Sequence, residues 1–198
     1  MPYFTFLRLS TLVLAVSLLP SCIYYSGPGP GNGNWGWNDS RIEGSRHLVT
    51  EVRPLTGINR VRLGNQGDLT IMLGDTESLV VEAEDNLLPY ISSEVRNGEL
   101  NITTEGGRWL RNHEPLRYTL TVKNLEGIEI ASTGSVDAPD ISADRFAIWI
   151  GSTGSAYITV HEYLEASLNS TGSVHFRGQA RTDIRCNSTG RAIMLSQR

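Results

Sequence analysis

The chain has 198 residues, enough for one domain with extra segments, and a formal net charge of −4 from charges of both signs. That balance lacks the basic face a nucleic-acid partner needs, so none is expected. Two cysteines, Cys22 and Cys186, cannot build a disulfide framework, and no apolar run after residue 23 is long enough to span a bilayer.

The first element is an export signal. Arg8 and the free amine supply its positive start, and the run from Leu9 to Leu19 supplies an apolar core of secretory length. It ends Leu19-Pro20-Ser21-Cys22, which resembles the bacterial lipobox: an aliphatic residue, a small residue before the cut, then an obligatory cysteine. The resemblance implies that residues 1–21 are a lipoprotein leader and that Cys22 becomes the lipidated N-terminus, the membrane partner being reached through that lipid. Ile23 stands where an inner-membrane retention signal would want Asp. By the same resemblance the expected address is the cell envelope, as an outer-membrane lipoprotein.

Residues 22–47 read as a tether. Gly27-Pro28-Gly29-Pro30-Gly31-Asn32-Gly33-Asn34 followed by Trp35-Gly36-Trp37 cannot bury enough apolar surface to fold alone. A flexible linker of about 25 residues would hold a domain on the order of 25–30 Å from its anchor. Trp35 and Trp37 are expected to pack loosely on the nearest surface.

From Val49 the strand signals are continuous, and the folded domain is expected over 48–198. Ile58, Val61 and Leu63 mark a first strand, ending near Gly64. Further strands are predicted over Asp68–Leu73, Ser78–Ala83, Tyr90–Val95, Glu99–Thr103 and Arg117–Val122. Asn97-Gly98 is the best short hairpin signal, because both residues tolerate positive φ. Asp85-Asn86-Leu87-Leu88 before Pro89 is at most one helical turn. The class is therefore all-β.

The stretch from Ile128 to Leu195 says nearly the same thing four times. Ser-Thr-Gly-Ser begins at Ser132, Ser152 and Ser170 and returns as Ser-Thr-Gly-Arg at Ser188, in steps of 20, 18 and 18 residues, a period typical of stacked repeats. Apolar or small residues precede each bend at alternate places: Ile128 and Ile130, Ile148 and Ile150, Ala166 and Leu168, Ile184 and Cys186. Each unit thus reads as strand, bend and second strand, resuming with Ile158 and Val160, Val174 and Phe176, or Ala192 and Met194. Coils stacked about 4.8 Å apart would align Ile130, Ile150, Leu168 and Cys186 in one interior column and Ile128, Ile148, Ala166 and Ile184 in the next. Fully burying each large apolar member is worth roughly 1.5–3 kcal/mol. The bend glycines, Gly134, Gly154, Gly172 and Gly190, suit either positive φ or a close backbone approach to the next coil.

The run Gly57-Ile58-Asn59-Arg60-Val61, then Gly67-Asp68-Leu69-Thr70-Ile71, Leu73 to Ala83, Asn86 to Ile91, and the Asn97-Gly98-Glu99-Leu100 turn resembles the head GIN domain family of exported bacterial proteins, described as auto-transporter adhesins. The likeness spans about residues 49–195. Its coils usually carry Gly-Ser-Gly where this chain carries Ser-Thr-Gly-Ser. The resemblance implies a right-handed parallel β-helix-like solenoid of short stacked coils, the N-terminal strand-and-hairpin half packed in register, and it brings no catalytic residues or cofactor.

Outward residues decide between binding and catalysis. Thr133, Thr153, Thr171 and Thr189 would stack as a hydroxyl column along one edge, and with Trp149 they make the candidate binding face for a glycan or another envelope protein. Hydroxyls at bends also simply satisfy backbone groups. Reading coil against coil, the outward places hold Glu129, Trp149, Ser167 and Arg185, or Ala131, Gly151, Asn169 and Asn187, so no column is expected to stack two carboxylates. His47, His113, His161 and His175 show no metal-ligand spacing, and no Gly-x-Ser-x-Gly elbow occurs. Cys186, at a core place with no base beside it, is expected to be a buried inert thiol. The alternative is a polysaccharide-degrading enzyme using the loop carboxylates Asp137, Asp140 and Asp144 with His161, Glu162 and Glu165. An enzyme would gather a basic residue and two carboxylates around one groove, whereas a scaffold would scatter them. The expected role is non-catalytic adhesion or envelope scaffolding.

Overall fold

The computed structural model describes residues 41–196, without the side chains of Asp140 and Ser142. The leader, the lipidation site Cys22 and the pair Trp35 and Trp37 lie outside those residues. The first strand, β1 (Arg41–Glu43), falls inside the segment expected to be tether. It is followed by β2 (Leu48–Pro54), ahead of the first strand expected, and then by β3 (Arg60–Leu63), β4 (Asp68–Leu73) and β5 (Ser78–Glu84), where alternation predicts strands. One short 3-10 turn, Leu88–Tyr90, precedes β6 (Ile91–Arg96) and β7 (Glu99–Thr104). These two form the expected antiparallel hairpin, with Asn97 at φ 52° and Gly98 at φ 81°. Next come β8 (Trp109–Arg111) and β9 (Arg117–Val122).

The second half contains β10 (Gly127–Ile130), β11 (Ser135–Ile150), β12 (Ser155–Leu168), β13 (Ser173–Arg177), β14 (Arg181–Cys186) and β15 (Arg191–Met194). Among the described residues, 13 strands join in one curled sheet, and β1 pairs with β8 in a separate parallel ribbon. β11 turns a corner within its length: Ser135–Asp137 pair with β4, Gly127–Ile130 of β10 pair with its last four residues, and Pro139 sits where the ladder is interrupted.

Both interior columns exist, and they run further than the repeats reveal. One is Ile102, Leu63, Ile130, Ile150, Leu168 and Cys186; the other is Leu100, Val61, Ile128, Ile148, Ala166 and Ile184. Every member before β14 is buried. Cys186 corrects the sequence reading: it holds the expected column place, but its thiol is exposed, because no described strand lies beyond β14. After the bends, Tyr118, Leu69, Val136, Ala156, Val174 and Ala192 form a further column.

Neighbours in space do not follow chain order. β3 lies between β7 and β10, and β4 between β9 and β11. The chain lays down β3 and β4, covers one side with β7 and β9, then returns to the other side to continue with β10 and β11. Antiparallel strands close the first side, β6 on β7 and β5 on β9, with β2 outside β5.

The bend glycines are required by close approach. A Cβ on Gly134 would stand 2.3 Å from the carbonyl oxygen of Gly67, one on Gly154 2.2 Å from that of Gly134, and one on Gly172 2.4 Å from that of Gly154. Their φ angles lie outside the left-handed region. Gly67 lies beneath this glycine column, in the bend Asn65-Gln66-Gly67-Asp68, but unlike the others it takes a positive φ of 124°. Ser135 and Ser173 donate their amides to the carbonyls of Gly67 and Gly154, both at 3.2 Å.

Buried polar groups fasten the loops, Glu77 among them by accepting the Gly57 amide. The Glu84 carboxylate accepts the amides of Arg46 at 2.6 Å and His113 at 3.0 Å, which offsets its desolvation and ties residues 44–46 onto the domain. The Asn65 side-chain amide donates to the Tyr118 hydroxyl at 2.8 Å, while its Oδ1 has no partner. Burial raises the Tyr118 phenol above its ordinary value.

Candidate functional site

Trp149 is carried outward by alternation in the last stretch of β11. Its column reads Asn101, Arg62, Glu129, Trp149, Ser167 and Arg185. Arg62 donates through Nε to Glu129 at 2.6 Å and through Nη1 to Asn101 at 3.2 Å, so the charges beside the indole are mutually paired. The indole lies over Gly151, where an added Cβ would come within 2.1 Å of the ring. A larger residue at 151 would push the ring off the sheet. Trp149 remains 37% exposed and lines a shallow depression of about 280 Å³ with Gly127, Glu129, Ala147, Glu165 and Ser167. An aromatic face among small and hydrogen-bonding neighbours suits contact with a sugar ring or a flat protein surface.

A larger depression of about 650 Å³ adjoins it, sharing Arg60, Ala147 and Glu165. Its wall also includes Glu126, Asp144, Arg145 and Tyr163. The Arg145 guanidinium lies 5.9 Å from the Tyr163 ring centroid, at the outer range of a cation–π contact. Two arginines and three carboxylates thus line one concavity, the grouping that an enzyme would require. Glu165 is also the register partner of Asp183, so one outward column does stack two carboxylates, contrary to the sequence reading. Alternation places both outward, in a column further from the bends than those of Glu129 and Ala131. His161 and Glu162 are exposed and are not among the residues of this wall. Among the described residues no cluster of His, Cys, Asp and Glu has a geometry that could hold a metal ion.

The four threonines, Thr133, Thr153, Thr171 and Thr189, are all exposed at their bends. They are not gathered around Trp149. Thr133 lines a different depression of about 440 Å³ with Gln66, Thr103, Arg108 and Trp109. Trp109 is the most exposed large hydrophobic residue there, and sequence reasoning missed it because β8 follows Gly106-Gly107 without alternation. Tyr157 and His175 were missed too. They stack at 4.5 Å with planes 12° apart, beside a depression that includes Asp137 and Arg177. Their signal was available in the register of the repeats, which makes them column neighbours.

Solved structures share this fold at low sequence identity. A "putative lipid binding protein" from Parabacteroides distasonis is 13% identical, with 79% of this chain and 100% of that one covered and a TM-score of 0.55. A "putative adhesin" from Bacteroides fragilis is 15% identical, with 78% and 100% covered and a TM-score of 0.53. Among curated proteins no relative matches this chain. The family described as "Putative auto-transporter adhesin, head GIN domain" matches residues 58–190, two thirds of the chain. The chain therefore belongs to the head GIN domain family.

Proposed function

We propose that this protein is a non-catalytic binding protein of the cell envelope, tethered by a lipid on Cys22, and that it engages a glycan or another envelope protein through the face around Trp149. In this reading the parallel ladders are the coils of a right-handed β-helix-like solenoid, whose stiffness presents the face at a fixed geometry. The observation that carries it is the exposed indole held against Gly151, with its column neighbours Arg62 and Glu129 already paired to each other. The column neighbours therefore bring a matched charge pair to the indole, while Arg60 and Glu165 line the same depression and supply charged contacts of both signs. The adhesin description of the family supports an extracellular or envelope setting. Among the described residues no helix is long and apolar enough to cross a membrane. Thr133, Thr153, Thr171 and Thr189 offer a separate exposed hydroxyl edge at the bends, apart from the indole.

The test is retention of the full chain on envelope glycans and on envelope extract, compared with Trp149→Ala. Binding should weaken at least several-fold while the thermal melt is unchanged. Equal retention of both forms would remove the Trp149 face from the reading.

A second reading, a polysaccharide-degrading enzyme, is favoured by the depression lined by Arg60, Glu126, Asp144, Arg145 and Glu165. Turnover of a polysaccharide by the wild type, abolished by Glu165→Gln or Asp144→Asn, would establish it over the first.

A further inference from the structure

The two ends of the parallel stack are finished differently. At one end the antiparallel strands β6 and β5 cover β7 and β9. At the other, among the described residues, β14 pairs only with β12, and β15 only with β13. Cys186 and Met194 are exposed there, whereas their register partners Leu168 and Phe176 are buried. An uncovered strand edge backed by apolar side chains is a template for another strand.

The open edge has a definite hydrogen-bonding pattern. Asn187 donates its amide to the Leu168 carbonyl at 2.9 Å. Alternation then turns the N–H and C=O groups of Asp183 and Arg185 toward β12, and those of Thr182, Ile184 and Cys186 toward the open edge.

We infer that β14 is a self-association edge, pairing antiparallel with β14 of a second copy about a two-fold axis at Ile184. The strand Arg181-Thr182-Asp183-Ile184-Arg185-Cys186 is complementary to its own reverse about that residue. Within one copy Arg185 donates to Asp183 at 3.0 Å; across the axis Asp183 faces the partner's Arg185 and Arg185 faces the partner's Asp183, so the two pairs join in one network of alternating charge. Ile184 meets the partner's Ile184, and its edge-facing N–H and C=O exchange two hydrogen bonds there. Centring the pair on Asp183 instead would oppose two Asp183 carboxylates and set Arg181 against the partner's Arg185, both destabilising. This self-complementarity selects a second copy over an unrelated strand. In the favoured register Cys186 faces the partner's Thr182.

That last contact supplies the test, made on the full chain in native membranes under mild oxidation. Thr182→Cys should give a disulfide-linked dimer on a non-reducing gel, since directly opposed residues lie within disulfide range. Peptide mapping should place the link between position 182 of one copy and Cys186 of the other, while the wild type stays monomeric on the gel. Adding Asp183→Arg should cut the dimer yield several-fold, and adding Arg185→Asp to that should restore it. Asp183 is a partly exposed surface residue, so a melt unchanged by its substitution shows that folding is intact. No linked dimer from Thr182→Cys, a link mapped to another cysteine, or a yield indifferent to the charge swap would each overturn the inference.

Discussion

Leu168 and Cys186 are register partners in one interior column, yet Leu168 is fully buried and Cys186 is exposed. The side chains point the same way, and the difference is what lies on the far side of each strand. Leu168→Asp would bury a carboxylate without a partner and should abolish cooperative folding, whereas Leu168→Ala should cost about 2–5 kcal/mol. Ser167→Asp, one residue away beside Arg185, should stay within about 0.5 kcal/mol of the wild type. Thermal melts of the three variants check this, and equal effects at 167 and 168 would mean the register is wrong.

The glycine column makes a separate prediction. Gly154→Ala and Gly172→Ala drive a methyl group into the carbonyl of the preceding bend and the Cγ2 of Ile130 or Ile150. Each should lose about 1–3 kcal/mol, since backbone on both sides resists the shift. Gly57→Ala is the control. Its Cβ would meet nothing within 4 Å, and only its φ of 75° opposes the change, at a cost of about 1 kcal/mol. Urea denaturation midpoints should rank Gly57→Ala as the mildest of the three.

Tyr118 gives the fold a pH dependence at the alkaline side. Burial raises its phenol above the ordinary value of 10.0, by more than the Asn65 hydrogen bond and the Arg53 charge lower it. The folded form therefore keeps its proton after the unfolded chain has lost it. Its contribution is fully present below pH 10 and declines as pH rises further, by up to about 1.4 kcal/mol per pH unit. Tyr118→Phe should remove that part of the decline. At neutral pH the same variant should cost about 1–3 kcal/mol, because the Asn65 amide is left without a partner. Stability curves of the two proteins at pH 7 and above pH 10 decide it.

Cys22 carries the membrane prediction. Cys22→Ala should leave the protein in the soluble fraction or at its unprocessed length, and a metabolic fatty-acid probe should no longer label it. Labelling that persists in the Ala variant would overturn the assignment of the lipid to Cys22.

Alternation and turn chemistry made much of this protein readable from its residues. The all-β class, the extents of β4 and β9, the Asn97-Gly98 hairpin and the columns through Ile150 and Leu168 follow from local rules: a period of two, and residues that tolerate positive φ. Such rules act within a few residues, so they are written wherever the chain is. The order of strands is not local. Nothing near β3 states that β7 will lie on one side and β10 on the other, because that choice depends on which apolar edges remain uncovered once all strands exist. For the same reason the Asn65-Gln66-Gly67-Asp68 bend is not legible as a neighbour of the repeats, and only its stacking beneath Gly134 shows that it sits in line with them. The pairing of β1 with β8, the meeting of Glu165 with Asp183 and the exposure of Cys186 also belong to the tertiary structure. A residue's place in a column is a property of its own strand, but its burial and its neighbours are properties of the strand laid against it.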